Sequence, residues 1–165
     1  MKKKLLAFTA GLLTALALAA CGKDPGLTQF KEEIDSFCTE ISNIDTEINN
    51  VDAQSENATA ELLGYLDQLD VAFQDFAALD FPAEFDYLES LADEASEYMT
   101  TAVESYHDVY SDDGYDQATA DYAKENYARA YKRIQIIITF LHGEQPEDVN
   151  LTTAEETADN ASAAE

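Results

Sequence analysis

The chain has 165 residues, enough for one domain, and 46% of them are hydrophobic, so an apolar core can form. With 6 glycines, 3 prolines and no tryptophan, the composition favours long helices over a fold of strands and tight turns. Thirty-four acids stand against 9 Lys and Arg, a formal charge of -25, which excludes nucleic acid as a partner, disfavours anionic lipid headgroups and suits cations or basic partners. A surface of that sign also keeps an exposed protein soluble and non-adhesive.

The chain opens with Lys2, Lys3 and Lys4, then runs uncharged from Leu5 to Ala20, about 16 residues and short for a membrane-spanning helix. The run ends in Leu18-Ala19-Ala20-Cys21. This segment resembles the leader and lipobox of bacterial prolipoproteins, in which small residues precede the modified cysteine. The resemblance covers only the first two dozen residues. It implies that residues 1–20 are a signal peptide and that the Cys21 thiol becomes a thioether to diacylglyceryl. Cleavage before Cys21 then leaves several acyl chains on one residue, a stable anchor. The product would be exported and face outside the cytoplasm, tied to the cell membrane through Cys21. Gly22 rather than Asp follows the cysteine, so no inner-membrane retention signal is evident. Because three of the 9 bases lie in the leader and every acid follows Cys21, cleavage leaves 34 acids against 6 bases, a formal charge of -28.

Residues 21–27, with Pro25-Gly26, read as a lipidated tether. A helical period then begins: Phe30, Ile34, Phe37, Ile41, Ile44, Ile48 and Val51 form one apolar stripe, with Thr28 able to cap it and Leu27 to staple it. Asn49-Asn50-Val51-Asp52 suggests a turn, but the spacing continues through Ser55 and Ala58, so one long bent helix is the rival to two separate ones. A second stripe runs Leu62, Leu66, Leu69, Phe73, Phe76, and Asp80-Phe81-Pro82 closes it. The third is Phe85, Leu88, Ala92, Ala95, Met99, Ala102, Tyr106, Val109, with Gly114 as its C-terminal cap. The fourth is Ala120, Ala123, Tyr127, Ala130, Ile134, Ile137, Leu141, closed by Gly143 and Pro146. The expected fold is all-α: an antiparallel up-down four-helix bundle over residues 28–143, with helices at about 28–50, 53–79, 82–110 and 115–142. Residues 144–165 are acidic, rich in Ala and Thr and aperiodic, and read as a disordered tail.

Chemistry is sparse along these helices. Glu104 and His107 share the Glu-x-x-His spacing of di-iron bundles, but such sites need two copies facing inward, and these two residues fall on the outer face. A haem axial pair would have to be Met99 and His142, roughly 20–25 Å apart in an antiparallel hairpin. Asp108, Asp112, Asp113 and Asp116 crowd one loop without the spacing of an EF-hand. No metal site and no cofactor is expected, and no Ser/His/Asp order, glycine-rich phosphate loop or zinc spacing points to an enzyme. Four of the 6 bases after Cys21, Lys124, Arg129, Lys132 and Arg133, lie on the fourth helix. The hairpin register sets them against Asp93, Glu94, Glu97 and Glu104, which reads as interhelical pairing, with an anionic-ligand patch as the alternative. Cys38 flanks the first stripe without a basic neighbour and reads as a small buried hydrophobe.

Nine tyrosines are present, seven of them on the last hairpin. Tyr98, Tyr106, Tyr122, Tyr127 and Tyr131 are the candidates for a ligand groove between the third and fourth helices, and core packing with hydroxyls at the rim is the competing reading. The domain resembles, in type, the small helical lipoproteins of unknown function in bacteria. Two functions are expected from this: a non-enzymatic, lipid-anchored module that binds an unknown envelope protein or a basic partner, or a carrier of a small ligand or cation in the aromatic groove.

Overall fold

The computed structural model describes residues 25–111 and 115–144. The leader, Cys21, Asp112–Gly114 and the acidic tail lie outside the described residues. Four helices make up the fold, with no strand among the described residues: α1 Pro25–Asn50, α2 Ala58–Ala77, α3 Glu89–Val109 and α4 Gln117–Leu141, with one 3₁₀ turn, Asp86–Leu88, ahead of α3. None of these helices is long and apolar enough to cross a membrane.

All four stripes face inward. Ile41 is 3% exposed, and Phe73, Met99 and Ile134, one from each of the other helices, are fully buried. Consecutive helices run antiparallel, as their cross-links show: Asp67 with His107 and Asp70 with Thr100 between α2 and α3, and Glu94 with Arg133 and Tyr98 with Arg129 between α3 and α4. At the start of α1, Phe30 meets Phe81 and Phe85, and two turns on Phe37 stacks on Phe76 at 4.3 Å and meets Phe73 edge-on at 5.5 Å. The result is a helical bundle with one shared core.

The helix ends differ from the sequence expectation for local reasons. α1 begins at Pro25 rather than Thr28, so Pro25 to Leu27 belong to the helix and not to a tether; proline suits the first helical position, where its missing N–H costs nothing. Between α1 and α2 the polar side chains compete with the helix. The Asp52 carboxylate accepts from the Gln54 N–H at 2.9 Å and the Ser55 hydroxyl from the Asn57 N–H at 3.2 Å. These bonds delay α2 from residue 53 to Ala58 and separate it from α1, so there is no single bent helix. Beyond Pro82 the chain makes a turn (Phe85 N–H to Pro82 carbonyl, 2.7 Å) and the 3₁₀ segment before α3 starts at Glu89 instead of Pro82. This irregular stretch carries Phe81 and Phe85 onto Phe30, a placement that a straight helix from residue 82 would not serve.

α4 is punctuated at both ends. The Asp116 carboxylate accepts from the Thr119 N–H (2.8 Å) and hydroxyl (2.6 Å), and these bonds lower its pKa, so this acid of the loop serves as a cap. At the other end Gly143 has φ +75°, its N–H bonds to the Phe140 carbonyl (2.8 Å), and the Glu144 N–H reaches Thr139 (3.1 Å), the paired closure that a left-handed glycine allows.

The core makes a paired prediction within α2. Phe73→Ala should cost about 3–5 kcal/mol, because it empties a site lined by Phe37 and Tyr131. Val71→Ala, two residues away and 56% exposed, should change stability by less than about 0.5 kcal/mol. Urea unfolding of the two variants checks the pair.

Candidate functional site

The most unusual group in the molecule is an acid on the apolar face of α1. At 100° per residue Asp45 lies roughly 40° round from Ile41, on the flank of the stripe and not opposite it. It is 5% exposed. Two phenols from α4 close over it: the Tyr127 hydroxyl donates to Oδ1 at 2.8 Å, and the Tyr131 hydroxyl lies 2.9 Å from both oxygens. The two tyrosines are one helical turn apart and stack with centroids at 4.9 Å, and Tyr131 also packs on Phe73 of α2 at 5.5 Å. Each ring therefore serves the core while its hydroxyl serves the carboxyl, the amphipathic use to which tyrosine is suited.

Burial pushes the Asp45 pKa up, and the two tyrosine hydrogen bonds offset only part of that. Burial likewise pushes both phenols well above the ordinary tyrosine range, joined for Tyr127 by the charges of Tyr131 and Asp45 and for Tyr131 by that of Asp45. Tyr127 and Tyr131 thus act as neutral donors. Among the described residues the Asp45 carboxyl is bonded by two phenols and by no cation, so its chemistry is that of a carboxyl group that gains or gives up one proton in a low-dielectric site.

The other tyrosines go elsewhere. Tyr98, on α3, carries two cations from α4 on its ring: the Arg129 and Arg133 guanidinium carbons lie 5.6 and 5.5 Å from its centroid. Arg133 also bonds Glu94 of α3, Nε to Oε2, at 2.6 Å, as the hairpin register predicts, whereas Arg129 pairs with Glu125 on its own helix and not across to α3. Lys124 and Lys132 are exposed. Tyr106 is half-buried, its pKa raised to about 12 by burial and then by Tyr110 and Tyr115. Tyr122 is exposed. The five tyrosines of the expected groove are therefore not gathered between α3 and α4. Tyr127 and Tyr131 turn to α1 and α2, and Tyr98 is a platform for arginines.

Glu104 and His107 are both exposed, on the outer face. His107 spans to α2, with Nε2 2.7 Å from Oδ1 of Asp67. Met99 is buried in mid-bundle and His142 caps α4, so by the Glu94–Arg133 register the two lie about 20 Å apart along the axis. Among the described residues no three His, Cys, Asp or Glu side chains are grouped to hold a metal ion. Cys38 is half-buried against the core, and burial, with the charge of Asp35, pushes its thiol to about 11, which keeps it protonated and unreactive.

Asp45 is the residue that periodicity passes over, because a charged residue is read as a marker of the wet face. Its angular position beside Ile41 is the signal that was there to find. Compared with known families, curated proteins and solved structures, the chain matches none.

The arginine platform yields a second prediction. A double-mutant cycle between Tyr98 and Arg133 should show a coupling of about 0.5–1 kcal/mol in favour of the native pair. The partly exposed Glu94–Arg133 pair should couple by no more than about 1 kcal/mol. A coupling near zero for Tyr98 would make its position over the arginines incidental.

Proposed function

We propose that the chain is a lipid-anchored, extracytoplasmic helical module without enzymatic activity that binds a basic partner, most simply an envelope protein. The observation that carries this reading is the leader: three lysines, an uncharged run short for a membrane-spanning helix, and Leu18-Ala19-Ala20 before Cys21. The charge supports the choice of partner. Once the leader is removed the acids outnumber the bases by 34 to 6, and the bases that remain near Tyr98 are matched to Glu94 and Glu125. A carrier that uses an aromatic groove is the weaker alternative, since it needs five tyrosines to converge and they are divided between the Asp45 cluster, the arginine platform and the surface.

Metabolic labelling with palmitate tests the anchor. The native chain should take up label and sediment with membranes, and Cys21→Ala should lose the label and leave the membrane fraction. An unlabelled native chain, or an unchanged distribution of Cys21→Ala, would sink the lipoprotein reading. For the partner, a carbodiimide that joins carboxylates to lysine amines, applied to intact cells, should couple the chain to a basic protein.

A further inference from the structure

We propose that Asp45, Tyr127 and Tyr131 form a proton-operated clasp between α1 and α4, which holds while Asp45 is neutral and loosens the α1–α4 seam when Asp45 ionises. The cluster is where α4 hydrogen-bonds to α1 across the interior, with three oxygen–oxygen approaches of 2.8–2.9 Å to one buried carboxyl group. Neutral Asp45 can donate its own proton to a phenol oxygen while its other oxygen accepts, so every hydrogen bond is kept with no charge inside. Ionised Asp45 accepts both phenol protons, but its charge is buried and forms no ion pair among the described residues.

The groups that face it bear this out from each side. α4 presents Tyr127 and Tyr131; Lys124, one turn before Tyr127 on the same flank, is exposed and in no ion pair among the described residues. α2 presents the ring of Phe73, while its acids Asp67 and Asp70 are turned to α3, where they hold His107 and Thr100. α3 meets α4 along another face, through Glu94 and Tyr98. On α1 itself Cys38 lies two turns back on the same flank, its thiol protonated. Burial disfavours the charged form and raises the pKa. The sign follows: the stability contributed is complete at pH below the ordinary carboxylate range and is lost as pH rises through the raised value. One such group changes the unfolding equilibrium by at most about tenfold per pH unit.

The many surface acids also repel less on acidification, so the quantity to read is the difference between the native chain and Asp45→Asn. In urea unfolding of the full-length chain in detergent micelles, Asp45→Asn should be the more stable of the two at neutral pH, and the gap should close as the pH falls through the raised Asp45 value toward the ordinary carboxylate range. Hydrogen exchange of α1 amides, corrected for intrinsic rates, should be faster in the native chain at neutral pH than below the raised Asp45 value, with little such change in Asp45→Asn. Carbon NMR of the native chain supplies a reading that does not depend on any variant folding: the Asp45 carboxyl should titrate above the ordinary aspartate range, and higher still in Tyr131→Phe. An Asp45 that titrates at or below the ordinary range, an Asp45→Asn chain less stable than native at neutral pH, or α1 exchange indifferent to pH would each overturn the clasp.

Discussion

The bundle depends on a division of side-chain size between its two halves. The buried positions of α3 and α4 are rich in alanine, with Ala92, Ala95 and Ala102 on one helix and Ala123 and Ala130 on the other, all fully buried. Small residues let two helical backbones approach, and among the described residues α3 and α4 make the most intimate backbone contact. The stripe of α1 contains only Phe and Ile, and α2 answers with Phe73 and Phe76. The large side chains of α1 and α2 and the alanines of α3 and α4 belong to one shared core.

Two consequences follow from that asymmetry. Where α3 and α4 lie close, the acids of α3 would face the acids of α4 at short range, and this is where the bases are concentrated. Arg133 meets Glu94 across the interface, Arg129 meets Glu125 along α4, and both guanidiniums rest on Tyr98. Four bases placed elsewhere on so acidic a chain would relieve repulsion that solvent and salt already screen. Where α1 stands off from α4, by contrast, backbone proximity gives way to reach. A phenol is long enough to cross from α4 to Asp45, and a serine or threonine at position 127 or 131 would fall short of the same carboxyl.

The apolar architecture was legible in the sequence because it rests on one period. Every residue of the first stripe from Phe30 to Ile48 is buried, as are Leu66 to Phe76 in the second and Ala123 to Leu141 in the fourth. The antiparallel register was legible too, since Arg133 meets Glu94 where a hairpin places it. The helix starts were less so. Residues 53–57 continue the spacing of the first stripe, yet Asp52 and Ser55 bond their own backbone, a competition that periodicity does not weigh. The segment after Pro82 begins as a turn because Phe81 and Phe85 are drawn to Phe30, a tertiary demand invisible from within the segment. Asp45 and the direction of Tyr127 and Tyr131 required the angle between α1 and α4, which no single helix encodes.

A buried carboxyl group is a poor way to gain stability, since an apolar side chain of similar volume would avoid the cost of desolvation. What it adds is position. The contact of α1 with α2 is a row of phenyl rings and isoleucines, attractive but weakly directional, and such a surface tolerates sliding. Asp45 does not tolerate it. A shift of α1 by one turn, about 5.4 Å, would carry the carboxyl away from both hydroxyls and leave it buried without the hydrogen bonds they supply. The stacked pair on α4 narrows the choice further, because Tyr131 is itself fixed against Phe73 of α2. One acid on the greasy face of α1 thereby ties three helices to a single register, and the polar cluster supplies the directionality that the apolar stripes lack.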